Sequence, residues 1–128
     1  VHIATAIATE IDIKGLSKVG LLGTKMTMEE DFYKNRLRDS HIETIIPDDR
    51  ERAFVHRSIF NELIKNTFLD KTREQFIGII EKLQQQGAEG IILGCTEIPL
   101  LINQSDVDIP LFNTLEIHAK AIAEFAVG

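Results

Sequence analysis

The sequence is poor in cysteine and in basic side chains, and it has no long apolar run; each shortage excludes a class of protein. One cysteine, Cys95, among 128 residues cannot close an internal disulfide. A single thiol without clustered histidines cannot build a structural zinc site either, so a reducing, cytoplasmic setting is expected. The formal charge of −6 is spread over both halves of the chain with no basic block. A phosphate backbone or an anionic lipid surface is repelled on average, so neither nucleic acid nor membrane is an expected partner. No apolar stretch has the length of a bilayer span, and the first residues carry neither a charged n-region nor a cleavage site. The chain also starts on Val1, inside a helix-like pattern, from which the expectation is that sequence upstream has been removed.

Several chemistries lack their cue. G-x-G-x-x-G, G-x-x-x-x-G-K and G-x-S-x-G are absent, which removes the usual signals for dinucleotide binding, P-loop hydrolysis and serine hydrolysis. The four histidines, His2, His41, His56 and His118, include no pair with metal-ligand spacing, so no metal is expected. What is present is a hydrophobic content of 44% with 27% charged residues, the composition of one folded domain.

Periodicity divides that domain into alternating helices and strands. Ile3, Ile7 and Ile11 form one stripe on a first helix that Gly15 ends. Lys18 to Gly23 reads as a buried strand. Thr27-Met28-Glu29-Glu30 has the spacing of a capping box for a helix to about Arg38, with Phe32 and Leu37 turned inward. Ile42 to Ile46 is a second strand, stopped by Pro47. Asp48 opens a helix carrying Val55, Ile59 and Leu63, with Phe60 and Ile64 beside them. After a break at Asn66-Thr67, Asp70 caps a helix bearing Phe76, Ile80 and Leu83 and stopped by Gly87. Gly90 to Gly94 is the most apolar strand, and Pro110-Leu111-Phe112 is the last. Asn113 caps a final helix with Ile117, Ala121, Ile122 and Phe125 inward.

Strands separated by helices imply βαβ units, hence an α/β domain with a parallel sheet between two helical layers. Ligands of such sheets bind beyond the carboxyl ends of the strands. Three loops qualify: Gly23-Thr24 to Thr27, the stretch around Pro47-Asp48, and Gly94-Cys95-Thr96-Glu97. Cys95 stands between a strand and a short helix, where free amides and the helix dipole favour a thiolate that can act as base or nucleophile; a packing cysteine is the alternative. Thr24 offers a hydroxyl and an amide to a carboxylate or phosphate oxygen, or merely serves its turn. Thr27 reads first as a helix cap. Glu97 can orient a neighbour or stay solvated. His56 reads as a surface or half-buried residue, and His118 is a candidate because its helix starts at a strand's carboxyl end.

Gly20-Leu21-Leu22-Gly23-Thr24, then Thr27-Met28-Glu29-Glu30-Asp31-Phe32-Tyr33, then Gly87 through Gly94-Cys95-Thr96-Glu97-Ile98-Pro99-Leu100-Leu101, and finally Pro110-Leu111-Phe112-Asn113-Thr114 with Ile117-His118-Ala119 resemble the aspartate/glutamate racemase family, nearest its aspartate racemase branch. The most specific stretch is G-C-T-E-I-P-L-L. The resemblance implies a racemase that needs no cofactor and no metal, built from two similar α/β domains with the active site between them. Each domain supplies one cysteine, and the two thiols face opposite sides of the substrate's α-carbon. Cys95 matches the second cysteine, Thr96 helps to bind the α-carboxylate and amino group, and Thr24 matches a substrate contact; Thr27, Glu97 and His118 are further candidate contacts.

On this reading residues 1–128 are the second domain, with 1–15 and 113–128 as candidate interdomain helices. The first domain, with the other cysteine, is absent, so this chain alone is expected to be inactive. The family's Asp-Thr before the last helix reads Asn113-Thr114 here, and Leu69 stands where aspartate-selective members often carry a lysine before the arginine matched by Arg73. The expected substrate is a small amino acid, aspartate or glutamate first, with a broader range open. A homo-oligomer, a non-catalytic module for a carboxylate or amino acid, and another isomerase such as a maleate isomerase or hydantoin racemase stay open as well.

Overall fold

Residues 3–127 are described by a computed structural model, with side chains through Glu124; His2 and Phe125 lie outside those limits. The elements are α1 (Ile3–Ile13), β1 (Lys18–Leu22), α2 (Lys25–Glu29), α3 (Phe32–Arg38), β2 (Glu43–Ile45) and α4 (Asp49–Ser58), which continues into a π-helical turn (Ile59–Leu63). They are followed by α5 (Asp70–Gln85), β3 (Ile91–Leu93), α6 (Ile98–Leu101), a 3-10 turn (Gln104–Asp106), β4 (Leu111–Asn113) and α7 (Thr114–Val127). The four strands are parallel in the order β2-β1-β3-β4. Helices cover both faces, giving the expected αβα layers. Val55, Ile59, Leu63, Phe76, Ile80 and Leu83 pack on one face, and Ile7, Ile11 and Leu37 on the other.

The helical stripes with four-residue spacing form as read. Ile7 and Ile11 are fully buried in α1, as are Phe76 and Ile80 in α5. Gly15 and Gly87 adopt φ of 72° and 107° just past their helices, the left-handed stop that a side chain would strain. Asn66, at φ 60°, ends the π-helical turn in the same way. Asp48 and Glu51 exchange side-chain and backbone bonds of 2.9 and 3.0 Å in a full capping box.

Other expectations need correction. The cap of the second helix is Thr24, not Thr27, and the helix is broken at Glu30, which is extended (ψ 153°). The break has a packing cause: Met28 of α2 enters the core on one face of the sheet and Leu37 of α3 enters it on the other, which no single straight helix can do. Phe32 opens α3 and is 44% exposed, its ring edge-on to Tyr33. Asp70 is the first residue of α5 and pairs with Arg73, while Leu69 holds the cap position. Phe60, Ile64 and Ile122 are exposed, because the faces they occupy lie beside the buried stripe and meet no second layer in this chain. Each strand beyond β1 is three residues long; β2 and β3 are shorter than the five-residue runs read for them, and β4 lies one residue later than Pro110-Leu111-Phe112.

Candidate functional site

In this strand order β1 lies between β2 and β3, so successive connections leave to opposite sides between β1 and β3, where an open parallel sheet presents a crevice. The two turns there touch. The Gly94 amide donates to Leu22 O at 2.7 Å. A Cβ at Gly94 would stand 2.9 Å from that same oxygen and 3.1 Å from Thr27 Cγ2, so only glycine fits without a shift. The sequence therefore brings the Thr24 turn and the Cys95 turn together by glycine against backbone.

On one turn, Thr24 is extended and its Oγ1 accepts the Thr27 amide at 3.4 Å, while the two threonine hydroxyls bond at 3.1 Å. Thr27 thus supports Thr24 and is not itself a cap. On the other turn, one oxygen of Glu97 accepts from both Cys95 Sγ (3.0 Å) and Thr96 Oγ1 (2.9 Å). The half-buried Cys95 also packs at the edge of the core.

The electrostatics of Cys95 run against the expectation of a stabilised thiolate. Burial pushes the thiol up to about 11, and the adjacent Glu97 carboxylate adds to it; the amides of Glu97 and Ile98 pull the other way and do not prevail. The helix expected to begin at Thr96 begins at Ile98 and has four residues, too short to present a strong dipole to the sulfur. Glu97 is held below its ordinary value by the bonds from Cys95 and Thr96. At neutral pH the turn therefore holds a protonated thiol beside a carboxylate.

Thr96 lines a cleft of about 480 Å³ at the ends of β3 and β4, with Leu93, Leu100, Asn113, Leu115 and Glu116. Thr24, Cys95 and Glu97 are not among its lining residues. His118 is half-buried on α7, and no hydrogen bond or ion pair joins it to Thr24 or Cys95. Asn113 Oδ1 accepts the amides of Leu115 and Glu116, so the amide caps α7 as a carboxylate would. Among the described residues no group of three His, Cys, Asp or Glu could hold a metal, and no helix is long and apolar enough to cross a membrane.

Residues 1–122 match the family described as Asp/Glu/hydantoin racemase. The chain belongs to that family. Among solved structures, this racemase-family chain is similar to a protein of Yersinia pestis provisionally described as an Asp/Glu racemase, with 47% identity and a TM-score of 0.94 over 99% of this chain and 56% of the other. An aspartate racemase homologue from Pyrococcus horikoshii gives 43% identity and a TM-score of 0.94 over 100% and 56%. The Picrophilus torridus aspartate racemase gives 28% and 0.78 over 98% and 52%. The chain thus spans little more than half the length of the racemase structures it matches.

Two residues of this region escape a reading of the sequence. Thr114 is buried and its Oγ1 donates to Leu93 O at 3.0 Å, tying the end of β4 to the end of β3. His56 accepts the backbone N–H of Lys25 at 2.9 Å. Each pairs with a backbone atom distant in sequence, which no local motif signals; the threonine after the Asn113 cap is the only cue to the first, and nothing marks the second.

Proposed function

We propose that this chain is one domain of an amino-acid racemase that uses no cofactor, with aspartate or glutamate as substrate and Cys95 as one of two acid/base thiols. The observation that carries the reading is the placement of Cys95: a half-buried thiol at the carboxyl end of β3, hydrogen-bonded to Glu97 and set against the Thr24 turn, where burial pushes its pKa up and favours the S–H form. Inversion at an α-carbon requires a base on one face and an acid on the other. With the substrate's proton leaving to a thiolate on the partner domain, the S–H of Cys95 supplies the proton to the opposite face and becomes the thiolate. The reverse reaction exchanges the two roles, so protons balance over each turnover. The carboxylate end of the amino acid is assigned to the hydroxyls and amides of Thr24 and Thr96.

Membership of the family and the likeness to an aspartate racemase homologue support this reading. So does the face that the other domain would cover: Met26, Leu100 and Leu115, on the helices that follow β1, β3 and β4, are 67%, 60% and 57% exposed. The test is α-proton exchange in D2O, followed by NMR, for both enantiomers of aspartate and glutamate and for a neutral amino acid. The full-length racemase carrying this chain should exchange with inversion, and Cys95→Ser should lower the rate at least about a hundredfold with circular dichroism unchanged. Turnover retained in that variant would overturn the role of Cys95. Binding of an amino acid by the wild-type protein without any exchange would favour a binding module.

A further inference from the structure

Thr24 caps a helix that cannot hold itself. The five residues of α2 make little more than one turn, closed at its two ends by Met28 N–H to Thr24 O and Glu30 N–H to Met26 O, each 3.0 Å. A helix this short is unstable by itself, because fixing its first turn costs more than so few bonds return. Its position is set from outside, by the burial of Met28 and by two side chains of α4 spaced one turn apart. His56 Nδ1 accepts the amide of Lys25, the first residue of α2. Arg52 Nε donates to Glu29, the last, at 3.1 Å.

Both clamping side chains are themselves fixed. Arg52 is mostly buried and donates a second bond to Pro47 O at 2.6 Å and a third to Asp49, so it anchors α2 to the loop between β2 and α4. The His56 ring lies against Phe60, with centroids 4.8 Å apart. Accepting an amide proton at Nδ1 requires that atom to be unprotonated, which puts the neutral ring's proton on Nε2.

We propose that His56 and Arg52 are positioning residues for the candidate site: they grip α2 at both ends and so fix where Thr24 presents its hydroxyl and amide. The assignment rests on Thr24 contacting substrate, and the expected signature is therefore in substrate binding. A small displacement of a positioning group weakens a site without removing its chemistry.

The test compares His56→Leu, which removes the acceptor, with His56→Asn, whose Oδ1 can occupy the place of Nδ1. In the 128-residue chain, the Lys25 amide should exchange with solvent about tenfold faster in the leucine variant, the effect of losing one hydrogen bond. The asparagine variant should restore slow exchange, with the amides of Ile91, Ile92 and Leu93 unchanged in both as a check on the fold. In the full-length racemase, the leucine variant should raise KM about threefold to tenfold with kcat held, and asparagine should rescue KM.

An unmoved Lys25 amide overturns the clamp, and faster exchange with unchanged KM overturns its link to the site. Absence of racemisation in the wild-type protein overturns the racemase reading instead, while the exchange measurement still decides the clamp. Should the leucine variant lose the β3 amides, Arg52→Gln decides: the Glu30 amide must then exchange faster, and unchanged exchange overturns the clamp.

Discussion

Cys95 and Glu97 share one hydrogen bond and shift each other in opposite directions, the thiol up and the carboxyl down. Burial is the first cause for the thiol, so neutralising the carboxylate should remove part of the shift only. Glu97→Gln should bring the Cys95 pKa to a value between its ordinary one and about 11, read from the ultraviolet absorbance of the thiolate across a pH titration. The sign for stability follows from proton linkage. The folded chain holds its thiol proton more tightly than the unfolded one, so stability is intact below the unfolded thiol's pKa and falls as pH rises toward about 11. Glu97→Gln should narrow that alkaline window. An unchanged titration would assign the whole shift to burial and leave Glu97 with no hold on the acid form.

At the scale of elements, the site depends on two turns packed glycine to backbone between β1 and β3. Gly94→Ala must push the new Cβ against Leu22 O and Thr27 Cγ2, and should cost about 1–3 kcal/mol by overpacking. Gly78→Ala is the control of opposite sign. Gly78 is exposed within α5 and a Cβ there meets nothing within 4 Å, so alanine should stabilise by about 0.5–1 kcal/mol. Urea titrations of the two variants check both signs, and a neutral Gly94→Ala would mean that the turns can separate without loss.

The same elements explain how much was legible. α1, α5 and α4 together with its π-helical turn each bury a stripe of large aliphatic or aromatic residues at helical spacing, which local sequence displays directly. The break between α2 and α3 was not legible, because Glu30-Asp31 carries neither glycine nor proline and is imposed by the need to reach opposite faces of the sheet. Thr24 and Cys95 could be named as candidates from their place after apolar strands, and Thr96 through the resemblance to the racemase family. The raised thiol pKa could not, since it depends on burial and on where α6 begins.

For the whole molecule, the parallel sheet ends in a face that offers one thiol and a rim of exposed Met26, Leu100 and Leu115. A single thiol can take and return a proton on one side of an α-carbon only. The proposed two-thiol chemistry therefore forbids inversion by an isolated copy of this chain. In D2O the 128-residue chain at low concentration should leave L- and D-aspartate and L- and D-glutamate optically unchanged, whereas on the proposed reading a longer protein that joins this domain to one bearing the second thiol should interconvert the enantiomers of its substrate. The concentration series matters as much as the blank. Two copies that met face to face would bring two Cys95 thiols together, and the rate would then rise with the square of chain concentration, preserving the two-thiol requirement. Racemisation proportional to the first power of concentration, by a chain shown to be monomeric, would mean that one thiol and another group of this domain suffice, and the second cysteine would lose its place in the mechanism.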